Sequence, residues 1–361
     1  MSRRLVLHAG MFKTGSSSIQ SFLAGANLTN ATCFSWNDPN HSALFVLLFT
    51  RQPETDWIFR QRGLSAEDLS DRRLQASREL TRQIEASRHD MFVFSAERLY
   101  RSRRADLTAC RDFFDRYFPE IRVHCYVRDP MGYAASMLQQ NLKTGNVPRP
   151  RALLPKFRQH VGNLDYVFGP DNVMTRLYSD PGRPSRNIVA DFCDWTGLDT
   201  ASDTNVVTNT SMSAEATALL YLFRKFSGFA ESSDRAVAAN SRMVRALMTL
   251  PGQRMALTPD FFGDEAAEIA DDQHWMEARM NDRFQTAPRD ASETVTFTGF
   301  DALEAFGREV FLRQTGRPFD KDEWQGNAAA PERFAASVTG ASPWRSALSS
   351  LISSLQGGKR G

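Results

Sequence analysis

The stretch "RLVLHAGMFKTGSSSIQSFL" constrains this chain more than any other. Leu5, Val6 and Leu7 form a short apolar run that closes towards Gly10. Continuous apolar runs of this length suit a parallel strand covered on both faces. From Ser16 the period changes, and Ile19, Phe22 and Leu23 recur on one face of a helix. A strand, a glycine-bearing loop and a helix start make an anion site, because free N–H groups and the helix dipole point at one place. Gly15 lets the backbone approach an anion closely. Ser16, Ser17 and Ser18 add hydroxyl donors.

The position of the lysine narrows the ligand. The loop that binds nucleoside triphosphates reads G-x-x-x-x-G-K-[ST]. Gly10 and Gly15 keep that spacing, but Ser16 stands in the lysine's place and the lysine is Lys13, inside the loop. In the triphosphate loop the hydroxyl after the lysine holds Mg²⁺. Here a terminal phosphate or a phosphosulfate, which needs less neutralisation, suits one lysine and a set of amides. A strand–turn–helix without a ligand is the plain alternative. The convergence of glycine, lysine and three hydroxyls on one helix start argues against it.

A second stretch, "IRVHCYVRDPMGYAASMLQQNLKTG", repeats the strand-to-helix pattern. Val123 to Val127 read as a buried strand with Arg128 at its C-terminal end. Asp129 suits a helix cap and Pro130 a first turn, where a missing N–H costs nothing. Ser136 follows two turns into that helix. Ligands of doubly wound sheets gather at the C-terminal ends of strands. Arg128 offers a planar fork for phosphate oxygens there, and Ser136 one further donor.

"FKTGSSSIQ" resembles the 5′-phosphosulfate loop, K-[TS]-G-[ST]-[ST], of sulfotransferases that use 3′-phosphoadenosine 5′-phosphosulfate (PAPS). The wider form, L-H-A-G…K-T-G-S-S-S-I-Q, resembles the bacterial carbohydrate-type members. The second stretch resembles the family's 3′-phosphate element, a strand, Arg-x-Pro, and a serine eight residues after the arginine. The resemblance implies an α/β fold with a P-loop-type central parallel sheet and helices on both faces, plus a helical C-terminal extension. It implies that Lys13, Thr14, Gly15, Ser16, Ser17 and Ser18 hold the 5′-phosphosulfate, with Lys13 also catalytic, and that Arg128 and Ser136 hold the 3′-phosphate. "MFVFSAERLY" resembles the family's strand ending in S-x-E, at Ser95 and Glu97. "VMTRLYSD…NIVADFCDWTGLD" resembles its fourth strand and the helix after it. "VVTNTSMS" resembles an N-x-S segment, which places Asn209 and Ser211 near the nucleotide. The resemblance runs from residue 3 to about 285.

Two positions depart from many relatives: Phe12 replaces a histidine before the loop lysine, and Asn40-His41 replaces a histidine pair. The base that deprotonates the acceptor therefore stays open among His41, Glu97 and Asp38. His41 has the right ordinary pKa, and Glu97 stands at a strand end where catalytic groups of open sheets collect.

The chain has 361 residues, enough for one large α/β domain or two small ones. A net charge of +2 makes no electrostatic case for nucleic acid. Arginines are dense between 60 and 104, but interspersed acids read as a solvated helix face. Arg98, Arg101, Arg103 and Arg104, directly after Glu97, could instead meet an acidic polysaccharide or a nucleotide. The four cysteines form no C-x-x-C pair, so a metal site has no support and a reducing compartment is expected. No signal peptide or membrane-crossing stretch is evident, which points to the cytoplasm.

Strands at 91–95 and 122–127 alternate with helices at 65–88, 105–118 and 131–143, which argues for a parallel sheet. Residues 28–60 read as a variable section and 145–155 as a Pro-rich loop over the acceptor side; 213–228 and 232–250 look helical. The expected division is a sulfotransferase domain over 1–300 and an extension over 301–361. Residues 315–342 lose periodicity, and 342–356 then form a short amphipathic helix for self-docking, a partner or a membrane surface. The expected activity is sulfuryl transfer from PAPS, without metal, to a hydroxyl of a carbohydrate or glycoconjugate acceptor. The alternatives are a kinase-like phosphotransferase and a non-catalytic nucleotide-binding protein.

Overall fold

The apolar run at 5–7 lies in β1 (Arg4–His8), the middle strand of a five-stranded sheet. The structure is a computed structural model that describes residues 3–178, 187–204, 211–229, 233–284, 291–325 and 329–340. The chain continues through α1 (Ser16–Gly25), β2 (Ala31–Cys33), α2 (Ser42–Phe49), α3 (Trp57–Arg60) and α4 (Ala66–Ala86). Next come β3 (Met91–Ser95), α5 (Glu97–Tyr100), α6 (Arg104–Phe114), β4 (Glu120–Val127) and α7 (Pro130–Lys143). Then follow α8 (Phe157–Phe168), β5 (Val173–Leu177), α9 (Ile188–Thr196), α10 (Ala214–Ser227) and α11 (Asp234–Leu247). The described chain closes with β6 (Arg254–Leu257), α12 (Ala266–Met280), β7 (Thr294–Phe297), α13 (Phe300–Thr315) and α14 (Ala330–Thr339).

The chain forms two compact units that interleave along the sequence. The first takes in Met1–Asp129, Lys156–Asn209 and Ala270–Gln285, and the second Pro130–Pro155, Thr210–Ile269 and Thr286–Gly361.

The sheet belongs to the first unit. Its order is β2-β3-β1-β4-β5 and every pairing is parallel. The order reverses at β1, so the crevice at the C-terminal ends of β3, β1 and β4 is the switch point where such sheets bind ligands. Helices cover both faces. On one, Val6, Val93 and Tyr126 pack with Ile19, Phe22 and Leu23 of α1 and Val189 and Phe192 of α9. On the other, Phe94 meets Phe114 of α6 at 5.7 Å between ring centroids, and Phe92 meets Phe118 at 5.0 Å. Each of these buried rings contributes about 2–3 kcal/mol by leaving water. The long polar helix expected at 65–88 is α4. Ser65 and Asp68 form a reciprocal capping box at its start, and Leu69, Ala76, Leu80 and Ile84 are its buried stripe.

In the second unit α7 packs on α10 and on the parallel pair β6–β7, while α10 packs on α13 and α11 on α14. Buried Arg224 closes the end of α7: its Nε donates to Leu142 O at 2.9 Å and its Nη2 to Asn240 Oδ1. Asn240 Nδ2 donates to Lys143 O at 2.9 Å. The last carbonyls of a helix have no partner within it, and these side chains supply one.

Two expectations change. The variable section at 28–60, to which the sequence assigns no element, contains β2, α2 and α3. A three-residue strand is too short to alternate, and "SALFVLLF" is apolar on nearly every side, so it shows no period. The aperiodic tail at 315–342 contains α14, whose Phe334, Ala335 and Val338 are buried. Its alanines and the proline in its first turn hide the helix. The helix expected at 342–356 lies outside the described residues. Among the described residues no helix is long and apolar enough to cross a membrane.

Candidate active site

The loop between β1 and α1 alternates its backbone in an unusual way. Lys13 has φ 68° and Gly15 has φ 78°, both left-handed. Gly15 heads α1, and among the described residues no side-chain cap bond closes that helix start. Within the loop, the Thr14 hydroxyl donates to Met11 O at 2.6 Å, and the Ser16 hydroxyl donates to the same carbonyl at 3.4 Å. Arg128 Nη1 donates to Lys13 O at 3.2 Å, which pins the turn from the end of β4. Gly10 is required by space and Gly15 by its left-handed backbone, in a tight setting. A Cβ at Gly10 would lie 2.3 Å from Ser16 Oγ, and one at Gly15 would lie 3.0 Å from Ile188 Cγ1.

A lysine in the left-handed region carries about 1–2 kcal/mol of steric cost, which glycine does not pay. Lys13→Ala keeps that cost and Lys13→Gly removes it, less the extra chain entropy of glycine. Lys13→Gly is therefore expected to be the more stable of the two variants by about 1 kcal/mol in urea unfolding. Equal stabilities would contradict a left-handed residue here.

The neighbouring strand ends bring opposite charges to the loop. Glu97 follows β3 and is half-buried. Burial pushes its carboxyl up to about 7, against the pull of the Lys13 ammonium and a hydrogen bond from Asn40. That bond runs from Asn40 Nδ2 to Glu97 Oε2 at 3.4 Å. Asn40 is itself held, since its Oδ1 accepts from Ser42 N at 3.0 Å and from Ser42 Oγ at 2.6 Å. Burial lowers the Lys13 pKa; Glu97 opposes this and Arg128 adds to it. Lys13, Glu97 and Arg128 thus form one electrostatic group at the C-terminal ends of β1, β3 and β4.

The other candidates have different surroundings. His41 heads α2 and is only 2 % exposed. Its Nδ1 accepts from Ser95 N at 3.2 Å, and its own N–H donates to Ser95 O at 2.8 Å. Burial lowers its pKa to about 4, so the ring is neutral and bonded to the end of β3. Asp38 is exposed and accepts from Asn40 N at 2.8 Å. His8 Nδ1 shares a hydrogen bond of 2.8 Å with Ser95 Oγ beneath the site. Thr14, Ser16 and Ser18 are buried and Ser17 is exposed. Ser136, half-buried on α7, and Ser211, exposed before α10, belong to the second unit. Asn209 lies outside the described residues.

In the sequence Asn40 stands out only as a departure from the histidine pair, with no part beside Glu97. The signal was local: "DPNHS" is a turn-forming run in which an Asn side chain can hold nearby amides. Tyr178 and Ile188 were likewise not singled out, yet both border Gly15. Nothing in their own spacing marks them, because they reach the loop through the sheet order.

No family model matches the sequence, and no curated protein matches it. Among solved structures, a sulfotransferase from Alicyclobacillus acidocaldarius is similar, with a TM-score of 0.38 and 16 % sequence identity over 78 % of this chain and 97 % of that one.

Proposed function

We propose that this chain is a PAPS-dependent sulfotransferase acting on a hydroxyl of a carbohydrate or glycoconjugate. One observation carries the reading: a loop lysine in a left-handed turn, flanked by Glu97 from one neighbouring strand and Arg128 from the other. The amides at the start of α1 and the Lys13 ammonium would hold the 5′-phosphosulfate, and Arg128 the 3′-phosphate.

In the reaction the acceptor oxygen bonds to sulfur while the bond from sulfur to the bridging phosphate oxygen breaks. The electron pair of that bond stays on the departing adenosine 3′,5′-bisphosphate. Lys13 and the loop amides stabilise the charge that builds there. The acceptor's proton goes to Glu97, whose buried carboxyl titrates near the working pH. Glu97 suits this part better than His41, whose Nδ1 is taken up by the Ser95 amide.

The test is transfer of labelled sulfate from PAPS to a panel of glycosides across a range of pH. A base must be ionised to accept a proton, so the rate is expected to climb with pH and level off above about 7. Glu97→Gln should lower kcat by about 100-fold or more and abolish that limb. A profile unaltered in the variant would remove Glu97 from the mechanism.

A further inference from the structure

The two flanks of the loop are not equivalent. The order β3-β1-β4 puts Glu97 and Arg128 on opposite sides of β1. If the nucleotide lies towards Arg128, as the proposed function has it, the acceptor approaches on the Glu97 side. There Phe12 directly precedes Lys13, and the Arg101 guanidinium lies 5.4 Å from the centre of its ring.

The arginines that follow Glu97 are differently engaged. Arg98 pairs with buried Asp56. Arg104 donates to Asn163 Oδ1 at 2.9 Å and lies 4.1 Å over the Tyr166 ring. Arg101, at the end of α5, is exposed and makes no ion pair with a carboxylate among the described residues. Lys156 adds positive charge, since both it and Arg101 disfavour protonation of the buried His160, secondary to burial itself. An aromatic ring under one face of a guanidinium fixes its plane and leaves its N–H edge available to a planar anion.

We propose that Arg101, seated on Phe12, binds a carboxylate of the acceptor, so that the preferred substrate is an acidic sugar. This rests on the sulfotransferase reading and narrows it. Phe12 is then a specificity residue: it stands where many resembling sequences carry a histidine, and it seats the arginine.

The experiment compares p-nitrophenyl β-glucuronide with p-nitrophenyl β-glucoside, with PAPS as donor, and binds adenosine 3′,5′-bisphosphate in parallel. A charge-assisted contact of this kind is worth about tenfold or more. The wild type is expected to favour the glucuronide by about that factor in kcat/KM. Arg101→Ala should bring the ratio close to one, and Arg101→Lys should restore part of it. A wild-type ratio near one, a ratio that survives Arg101→Ala, or turnover of neither glycoside overturns the subsite. Bisphosphate binding separates the two failures. If it persists, only the carboxylate subsite is lost, and if it is absent, the sulfotransferase reading falls with it.

Discussion

Lowering the pH from 7 towards 4 is expected to unfold this protein. His8, His41, His124 and His160 are all buried. Burial holds their pKa values at about 3, 4, 3 and 4, against 6.5 for a free side chain. The unfolded chain therefore binds more protons than the folded one below pH 6.5, and stability falls as the pH drops through that window. At pH 4.5 each histidine forfeits on the order of 2 kcal/mol, and the four together several kcal/mol. That is comparable to the whole stability of an ordinary domain, about 5–15 kcal/mol. Glu97 acts in the opposite direction. Its raised pKa means that ionisation destabilises the fold between about 4.5 and 7, so acid returns at most about 3 kcal/mol.

Thermal melts from pH 8 to pH 4 should thus show Tm falling steeply once the pH passes below 6.5. His124 offers a check on the cause. Among the described residues its Nδ1 has no hydrogen-bond partner, and its ring stands edge-on to Trp195 at 4.6 Å. His124→Phe keeps the ring contact and removes a proton site, so the acid transition should move to lower pH. A Tm that stays flat down to pH 4.5 would contradict neutral, buried histidines.

The sheet was legible because its strands are short apolar runs that end in glycine, serine or arginine. The runs at 5–7, 91–95 and 123–127 all became central parallel strands. Helix starts were legible where a cap stood in the sequence, as at Ser65 and Ser213. β2 and α2 were not, for the reasons their lengths and compositions give. At the site, the glycine and lysine spacing showed the loop, but not its backbone. Nothing in "FKTGS" says that Lys13 is left-handed, since that conformation is held from outside by Arg128, 115 residues away. The choice between Glu97 and His41 was equally beyond spacing. It depends on burial and on the Ser95 amide, which His41 meets only when the turn before α2 packs on the end of β3.

Nucleotide selectivity follows from the same group of residues. Under the proposed function, adenosine 3′,5′-bisphosphate would present one phosphate to the loop and one towards Arg128, whereas ADP and ATP have no 3′-phosphate for that arginine. With Ser16 in place of the usual lysine, the loop lacks at that position the cation that reaches the β- and γ-phosphates of a triphosphate. A hydrogen bond to a charged group is worth about 1.5–3 kcal/mol, or roughly 10–100-fold in affinity. Arg128→Ala should cost that much for the bisphosphate and little for ADP. Lys13→Ala should weaken both. The direct measurement is calorimetric titration without Mg²⁺ of the wild type, Lys13→Ala and Arg128→Ala with adenosine 3′,5′-bisphosphate, ADP and ATP. Bisphosphate binding about 10–100-fold tighter than ADP, and dependent on both residues, is the predicted result. Preference for ATP, or bisphosphate binding untouched by Arg128→Ala, would contradict the account.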